Sequence, residues 1–203
     1  QLAAAWIHDS RDNTLFPNKG VLQRLSAEVA LPVLDLEYYK LEYKHTWFKD
    51  VTKTFTFMLN GELGYADSYG NEKYPFFKNF YVGGVNSVRG FENGSIGPRD
   101  FDPSTSQDFA VGGTTRIVGN AEVFAPVPFI KNSSQFRLSA FADAGDVYAN
   151  NQKISKSNLR YSTGVGISWF SPFGPLKLVF AKALNKKEGD QTQTLQFQLG
   201  SQF

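Results

Sequence analysis

The C-terminal stretch Gln193-Thr-Leu-Gln-Phe-Gln-Leu-Gly-Ser-Gln-Phe203 alternates polar and apolar residues almost without exception. Successive side chains of a β-strand point to opposite faces, so this stretch predicts a strand with one apolar and one polar face. In a soluble sandwich the apolar face needs a second sheet to cover it, whereas in an outer-membrane barrel it contacts lipid and the polar face lines the lumen. Whether other strands repeat the pattern separates these two alternatives.

The same alternation recurs through most of the chain. Segment 160–169 places Tyr, Thr, Val, Ile and Trp on one face and Arg, Ser and Gly on the other, and segment 54–65 sets Phe and Leu against Thr, Asn and Glu. Most such segments have about the 9–11 residues that a tilted membrane strand needs. The sequence therefore predicts an all-β, antiparallel transmembrane β-barrel. We predict nine strands, near 2–10, 20–31, 37–48, 52–65, 114–125, 136–148, 159–169, 175–184 and 193–203.

Composition agrees with a barrel and excludes several other classes. The 203 residues include 15% aromatics, 18 Gly and no Cys, and the formal net charge is only +2. Phosphate binding requires a basic stripe, so this nearly neutral chain predicts no nucleic-acid partner. The sequence has no run of about 18 apolar residues, which excludes a membrane-spanning helix. Because there is neither an initiator Met nor a signal peptide at Gln1, we expect a processed chain or a piece of a longer one.

Strand parity orients the predicted barrel, since bacterial barrels keep their C-terminus and short turns in the periplasm and their long loops outside. Counting back from Phe203, the tight turn 171–175 lies in the periplasm and the 48-residue segment 66–113 lies outside. Aromatic residues then sort into two interfacial girdles. The predicted periplasmic girdle is Trp47, Phe48, Phe129, Trp169, Phe170, Phe173 and Phe203, and the outer one is Tyr38, Tyr39, Tyr65, Tyr148 and Tyr161.

The long loop carries the most specific motifs. It contains Phe80-Tyr-Val-Gly-Gly84, Val88-Arg-Gly-Phe91 and Ile96-Gly-Pro98, which resemble the sixth extracellular loop of the BamA family, the central subunits of the outer-membrane β-barrel assembly machine. Phe141-Ala-Asp-Ala-Gly145 resembles a strand motif of that family, and Ser171-Pro-Phe-Gly-Pro175 resembles its last periplasmic turn. The resemblance therefore extends over essentially the whole chain.

This resemblance implies that residues 1–203 are one transmembrane β-barrel domain, the eighth to sixteenth strands of a barrel of about sixteen, without the POTRA domains and the first strands. It also agrees with the predicted count of nine strands. Bacterial single-chain barrels have even counts, so an odd number indicates a part of a larger barrel. The resemblance also implies a bacterial outer-membrane location and an ATP-independent insertase with a lateral seam beside the C-terminal strand. The implied partners are unfolded outer-membrane proteins, accessory lipoproteins of the assembly machine and the lipid bilayer; no cofactor is implied.

The resemblance further implies that the long loop folds back into the lumen, with its arginine held by acidic residues. The strand pattern supports this independently, because Glu122 and Asp143 both point inward from consecutive strands and a guanidinium can bind carboxylates through bidentate hydrogen bonds. The alternative is a solvated arginine and two ordinary lumenal charges. The predicted latch motif is Val88, Arg89, Gly90 and Phe91, and its predicted lumenal partners are Glu122, Phe141, Asp143 and Gly145.

The C-terminal strand would form the second edge of the implied seam. Gly200 leaves a gap in side-chain packing where strand pairing is weakened, so this strand would be easier to open. The residues assigned to the strand and seam are Leu195, Phe197, Leu199, Gly200 and Phe203.

Other chemical functions fit the sequence less well. No Gly-Lys-Ser/Thr follows Gly83, Gly84 and Gly90, so a phosphate loop is not predicted, and the acidic residues lack the spacing of a calcium or other metal site. Glu122 and Asp143 could act as an acid and a base, but an arginine partner would keep both ionised, so we predict no enzyme and no catalytic residue. Two alternatives stay open, namely a related two-partner-secretion or translocation barrel and a passive porin.

Overall fold

The computed structural model describes residues 1–31, 36–70, 73–102, 107–128, 135–172 and 174–200. Nine of its strands form one antiparallel sheet, and two short strands in the long loop form a separate hairpin. In chain order the strands are β1 (Leu2–Asp9), β2 (Gly20–Val29), β3 (Tyr38–Asp50), β4 (Thr56–Ser68), β5 (Arg99–Asp102), β6 (Gln107–Ala110), β7 (Thr115–Pro126), β8 (Phe136–Tyr148), β9 (Arg160–Ser171), β10 (Gly174–Ala183) and β11 (Leu195–Leu199).

The prediction of an antiparallel all-β sheet of nine strands is confirmed. Each strand pairs with the next in the order β1-β2-β3-β4-β7-β8-β9-β10-β11, so the long loop between β4 and β7 interrupts the chain but not the sheet. β4 begins at Thr56, later than predicted, because the backbone N–H groups of Val51 and Thr52 both donate to the Phe55 carbonyl and close a turn there. The sheet is open, with β1 and β11 at its two edges.

Alternation along the strands separates an apolar outer face from a polar inner face. Residues paired across neighbouring strands share a face, as Glu122 and Phe141 do between β7 and β8. The inner face buries polar side chains, among them Thr46, Asn120 and Glu122. The exposed outer band is apolar, as expected for a lipid-facing surface. It includes Leu25, Leu41, Leu59, Leu63, Val123, Val165, Leu178, Phe180, Leu195, Phe197 and Leu199.

Three members of the predicted girdles do not lie on the outer surface. Tyr38 and Tyr148 are each only 1% exposed and Phe48 is 8% exposed, so assigning them to the interfacial belts was wrong. Strand alternation places Tyr38 and Phe48 on the inner face with Thr46, and the Tyr38 hydroxyl donates to Glu28 of β2. The Tyr148 hydroxyl donates to the Ser155 carbonyl in the loop that follows β8. Tyr65, Tyr161, Trp169 and Phe170 are exposed, whereas Phe129, Phe173 and Phe203 lie outside the described residues.

The long loop is folded rather than extended into solvent. Residues Phe76–Lys78 form a 3-10 turn, and β5 and β6 form a hairpin. Near its base, Phe80 and Gly113 exchange two backbone hydrogen bonds of 2.8 and 3.0 Å. These bonds hold the two arms of the loop together, and residues 82–96 between them pack against the inner face of the sheet, while the β5–β6 hairpin is exposed. In the described part of the chain, no helix is long and apolar enough to cross a membrane.

Candidate functional site

The tip of the long loop, residues 82–96, packs against the inner face of the sheet through apolar side chains. Val82, Val88, Phe91 and Ile96 are completely buried, and they form one cluster with Val118 of β7 and Val147 of β8. Full burial of such a side chain contributes on the order of 1.5–3 kcal/mol. This cluster therefore fixes the depth at which the intervening residues, including Arg89, meet the wall.

Arg89 is buried at the centre of this contact and binds two carboxylates. Its Nε and Nη2 donate to the two oxygens of Asp143, both at 2.7 Å, and its Nη1 donates to Glu122 Oε2 at 2.7 Å. Its backbone N–H also donates to Asp143, at 3.0 Å. The guanidinium carbon lies 3.4 Å from the centroid of the Phe141 ring, which stacks on its face. Sequence pattern and resemblance pointed to these partners, and the structure brings them together.

The charges around Arg89 are nearly balanced. Burial alone would lower the pKa of the Arg89 guanidinium, but the hydrogen bonds that it donates to Asp143 and the negative charge of Glu122 hold that pKa above its ordinary value. Lys177 brings a second cation to 4.0 Å from Glu122 Oε1. The amide of Asn120 donates to Asp143 at 2.8 Å and to the Ser87 carbonyl at 2.7 Å. Two cations, two carboxylates and an amide therefore form one network, of which Asn120 and Lys177 were not predicted.

Two glycines allow the loop tip to approach the wall closely. Gly90 has a φ of +85°, a left-handed conformation that favours glycine, and an added Cβ would lie 3.3 Å from Ala181 Cβ. A Cβ at Gly145 would lie only 2.7 Å from Val88 Cγ2 and 3.0 Å from the Ile117 carbonyl oxygen. The absence of a side chain at Gly145 thus leaves space for Val88, and Gly90 makes the turn that follows Arg89.

The loop tip also binds the segment that leads into the last strand. Gln196 of β11 is buried, and its side-chain oxygen accepts from the Gly90 N–H at 3.1 Å while its side-chain nitrogen donates to the Phe91 carbonyl at 2.7 Å. Backbone bonds from Gln193 to Gly90 (3.0 Å) and from Glu92 to Gln191 (2.9 Å) continue the contact. Strand parity signals the inward direction of Gln196, but nothing in the sequence identifies its partner.

A second ion-pair cluster fixes the last extracellular loop. Arg160, at the start of β9, binds Asp146 through Nη1 at 2.9 Å and binds Asp190 through Nε and Nη2 at 3.0 and 2.9 Å. The Asp190 side chain is completely buried and also accepts the Lys187 N–H at 2.8 Å. This cluster was not predicted, because Asp190 lies in a polar loop that looks solvated from its sequence.

The predicted seam residues divide into two groups. Leu195, Phe197 and Leu199 face outward, each more than half exposed. Gly200 follows the end of β11 with a φ of +77°, and its N–H donates to the Pro175 carbonyl at 2.9 Å. Phe203 lies outside the described residues. Within the described part of the chain, no group of three or more His, Cys, Asp or Glu side chains could hold a metal ion.

An antiparallel sheet with an apolar outer band, and with an arginine-tipped loop bound to its polar inner face, is typical of part of a transmembrane β-barrel of the outer-membrane class. The chain belongs to the Omp85 superfamily, whose domain model matches residues 1–203. It is similar to the outer membrane protein assembly factor BamA of Neisseria meningitidis serogroup B, with 40% identity over 98% of this chain and 28% of that protein. The predicted bacterial outer-membrane location is confirmed by these similarities.

Other relatives agree with this assignment. The sorting assembly machinery 50 kDa subunit of Saccharomyces cerevisiae is 28% identical over 100% of this chain and 43% of that protein. The crystal structure of BamA from Haemophilus ducreyi lacking POTRA domains 1-3 superimposes with a TM-score of 0.89 at 28% identity, covering 99% of this chain and 42% of that one. The chain therefore spans less than half the length of each of these relatives.

Proposed function

We propose that the protein containing this chain assembles outer-membrane proteins and inserts them into the bacterial outer membrane. The observation that carries the proposal is the agreement of the whole nine-strand sheet with a BamA barrel, combined with 40% identity to a BamA assembly factor. The unfolded substrates would be the principal partners, and accessory lipoproteins would bind on the periplasmic side. No enzymatic step is part of the proposal, because the two carboxylates that face the loop tip, Glu122 of β7 and Asp143 of β8, are both bound by Arg89.

We infer that these strands are the eighth to sixteenth of a closed barrel of about sixteen strands, since open sheet edges in lipid leave backbone groups unpaired at several kcal/mol each. Preceding strands would then pair with β1. Periplasmic POTRA domains would precede those strands, by analogy with the Haemophilus ducreyi BamA, from which POTRA domains 1-3 were removed for its crystal structure. Residues 1–203 would form the C-terminal part of a single barrel domain.

The Arg89 contact supports an assembly role better than a passive pore. The loop tip occupies the inner face of the sheet, and its charges are neutralised by the wall rather than by solvent. A porin would keep this space open for solutes. We propose that Val88, Arg89, Gly90 and Phe91 latch the loop to Glu122, Phe141, Asp143 and Gly145, and that the latch keeps the barrel in a state competent for insertion.

The seam would lie beside β11 and open without ATP. β10 pairs with β9 along its whole length, from Gly174 to Ala183, but it pairs with β11 only from Leu176 to Phe180. The short ladder holds β11 to its neighbour in the sheet by fewer hydrogen bonds, so β11 could shift more easily when its other edge separates from the first strand of the complete barrel. An incoming strand could then pair with the exposed backbone of β11, and the free energy of its folding would drive insertion.

Reconstitution of the full-length protein into liposomes tests the proposed function. Unfolded outer-membrane proteins should fold faster into these liposomes than into protein-free ones, without nucleotide, as judged by their heat-modifiable electrophoretic mobility. Arg89→Ala should slow the reaction, whereas Arg24→Ala, at an exposed lumenal arginine, should not. Equal folding with and without the protein would refute the proposal, and a large steady conductance in planar bilayers would favour the porin.

A disulfide across the seam tests the lateral opening. Leu199→Cys should be paired with a cysteine on the first strand of the complete barrel, and the oxidised protein should lose insertion that a reductant restores. Full insertion by the oxidised protein would exclude the seam while leaving the assembly function itself intact.

A further inference from the structure

We propose that Gln196 is a positioning residue that couples docking of the loop tip to the order of the C-terminal strand. Through this side chain, docking or release of Arg89 would determine how ordered the extracellular half of β11 is. The inference rests on the proposed function only in that β11 is taken as an edge of the seam. The coupling itself is a property of the folded barrel and needs no substrate.

The geometry of Gln196 matches two consecutive peptide groups of the loop tip. Its amide accepts from Gly90 and donates to Phe91, and these residues directly follow Arg89. A side-chain amide carries both a donor and an acceptor, so it can satisfy an N–H and a carbonyl together. Gln196 is 3% exposed, and loss of either bond would leave a buried polar group unpaired.

The extracellular half of β11, with the residues that lead into it, contacts both strand β10 and the tip of the long loop. The Thr194 carbonyl still accepts from Ala181 of β10 at 2.8 Å. Before that point the chain turns to the loop tip, where Phe91 and Thr192 form an isolated bridge and Gln193 donates to Gly90. Gln196 is the side chain that joins this backbone contact to β11. Undocking of the loop tip would therefore remove the lumenal support of the last strand.

The same segment has an independent anchor at its outer end. Asp190 is fixed by Arg160, so residues between Asp190 and Gln196 are held at both ends. Loss of the Gln196 side chain would leave the inner end with only its backbone bonds to the loop tip, so it would loosen β11 locally while the extracellular loop stays attached. This difference separates the proposed coupling from a general loss of stability.

Hydrogen exchange on the full-length protein in detergent or nanodiscs tests the proposal. Gln196→Leu removes both hydrogen bonds and keeps a side chain of similar volume. We expect the hydrogen-exchange protection factors of residues 193–199 to fall about tenfold, while those of β8 do not change. Gln193→Leu is the matched control, because Gln193 is exposed, makes no side-chain hydrogen bond within the described residues, and contacts Gly90 only through its backbone N–H, which the substitution leaves in place. Unchanged protection in Gln196→Leu, or an equal loss in Gln193→Leu, overturns the proposal.

Two further variants keep the test decisive if Gln196→Leu folds poorly. Gln196→Glu retains the acceptor for Gly90 but sets a carboxylate against the Phe91 carbonyl, so it should also loosen residues 193–199. Arg89→Ala should loosen the same residues from a distance, and the double variant should be no worse than the worse single one. Additive losses would mean that Gln196 and Arg89 act separately, which overturns the coupling.

The outcomes distinguish this inference from the proposed function. A protein that inserts substrates normally but shows no exchange coupling would refute the role of Gln196 alone. A protein that shows the coupling but never accelerates insertion would refute the assembly function and leave the coupling standing.

Discussion

Arg89 binds Asp143 with both its side chain and its own backbone N–H. The guanidinium makes two bonds of 2.7 Å and the backbone adds one of 3.0 Å, so one carboxylate fixes the side chain and the backbone of Arg89 relative to each other. Asp143 sits on a strand and Arg89 on a loop, and their sequence separation of 54 residues is closed by the folding of that loop onto the wall. The pair therefore reports whether the loop is docked.

Arg89→Ala should undock the loop tip, because removing one partner of a buried ion pair leaves the other uncompensated at a cost of about 3–5 kcal/mol. Arg89→Lys should rescue only in part, since an ammonium lacks the bidentate fork. The measurement is the rate of proteinase K cleavage within residues 80–99. If Arg89 and Asp143 act as one unit, Arg89→Ala with Asp143→Ala should be little worse than the worse single variant. Strict additivity would contradict the latch.

Gly145→Ala should also disturb the latch, without changing any charge. The new methyl group would lie 2.7 Å from Val88 and 3.0 Å from a backbone oxygen that cannot move easily, and overpacking of this kind costs about 1–3 kcal/mol. The denaturation midpoint of the detergent-solubilised protein should fall. Gly119→Ala in β7 is the control, because its nearest neighbour is 4.0 Å away. Similar midpoints for the two variants would show that Val88 is not tightly seated.

Asp190→Asn should release the last extracellular loop, because it removes the charge that Arg160 binds through two hydrogen bonds. Trypsin should then cut after Lys186 and Lys187 several-fold faster, since local opening controls proteolysis. Glu188→Gln makes the same charge change at an exposed position of the same loop and should have no effect. Equal cleavage of the two variants would mean that the buried pair does not hold the loop.

Leu25→Arg should impair folding far more than Ser26→Arg. These neighbours lie at nearly the same depth of β2, but Leu25 faces outward and is exposed, whereas Ser26 is paired with Glu42 on the inner face. An arginine facing lipid near the bilayer midplane costs about 2–4 kcal/mol, while one in the lumen can pair with acidic groups. The folded fraction in lipid vesicles measures the difference. A larger loss for Ser26→Arg would show that the two faces are interchanged.

Strand periodicity by itself determined the sheet and its two faces. Alternation has a period of two residues, so the inward direction of Glu122 and Asp143 follows from their positions alone. The same alternation places Tyr38 on the inner face with Thr46, so its burial follows from its position as well. The burial of Tyr148 does not, because this side chain contacts Ser155 in the loop that follows β8, and the path of a loop has no period.

Resemblance to a known family identified Arg89, but only the tertiary structure decided how the loop tip is held. Gln196 and Asp190 look like ordinary polar residues of a strand and a loop, and their importance comes from partners 106 and 30 residues away. The Gln196 contacts exist because the long loop enters the space inside the curved sheet, and the Asp190 contact exists because the last extracellular loop folds back to the start of β9. The sequence alone thus determined which side chains face the lumen, whereas the fold of the loop determined which of them meet, since alternation is a local property and docking is not.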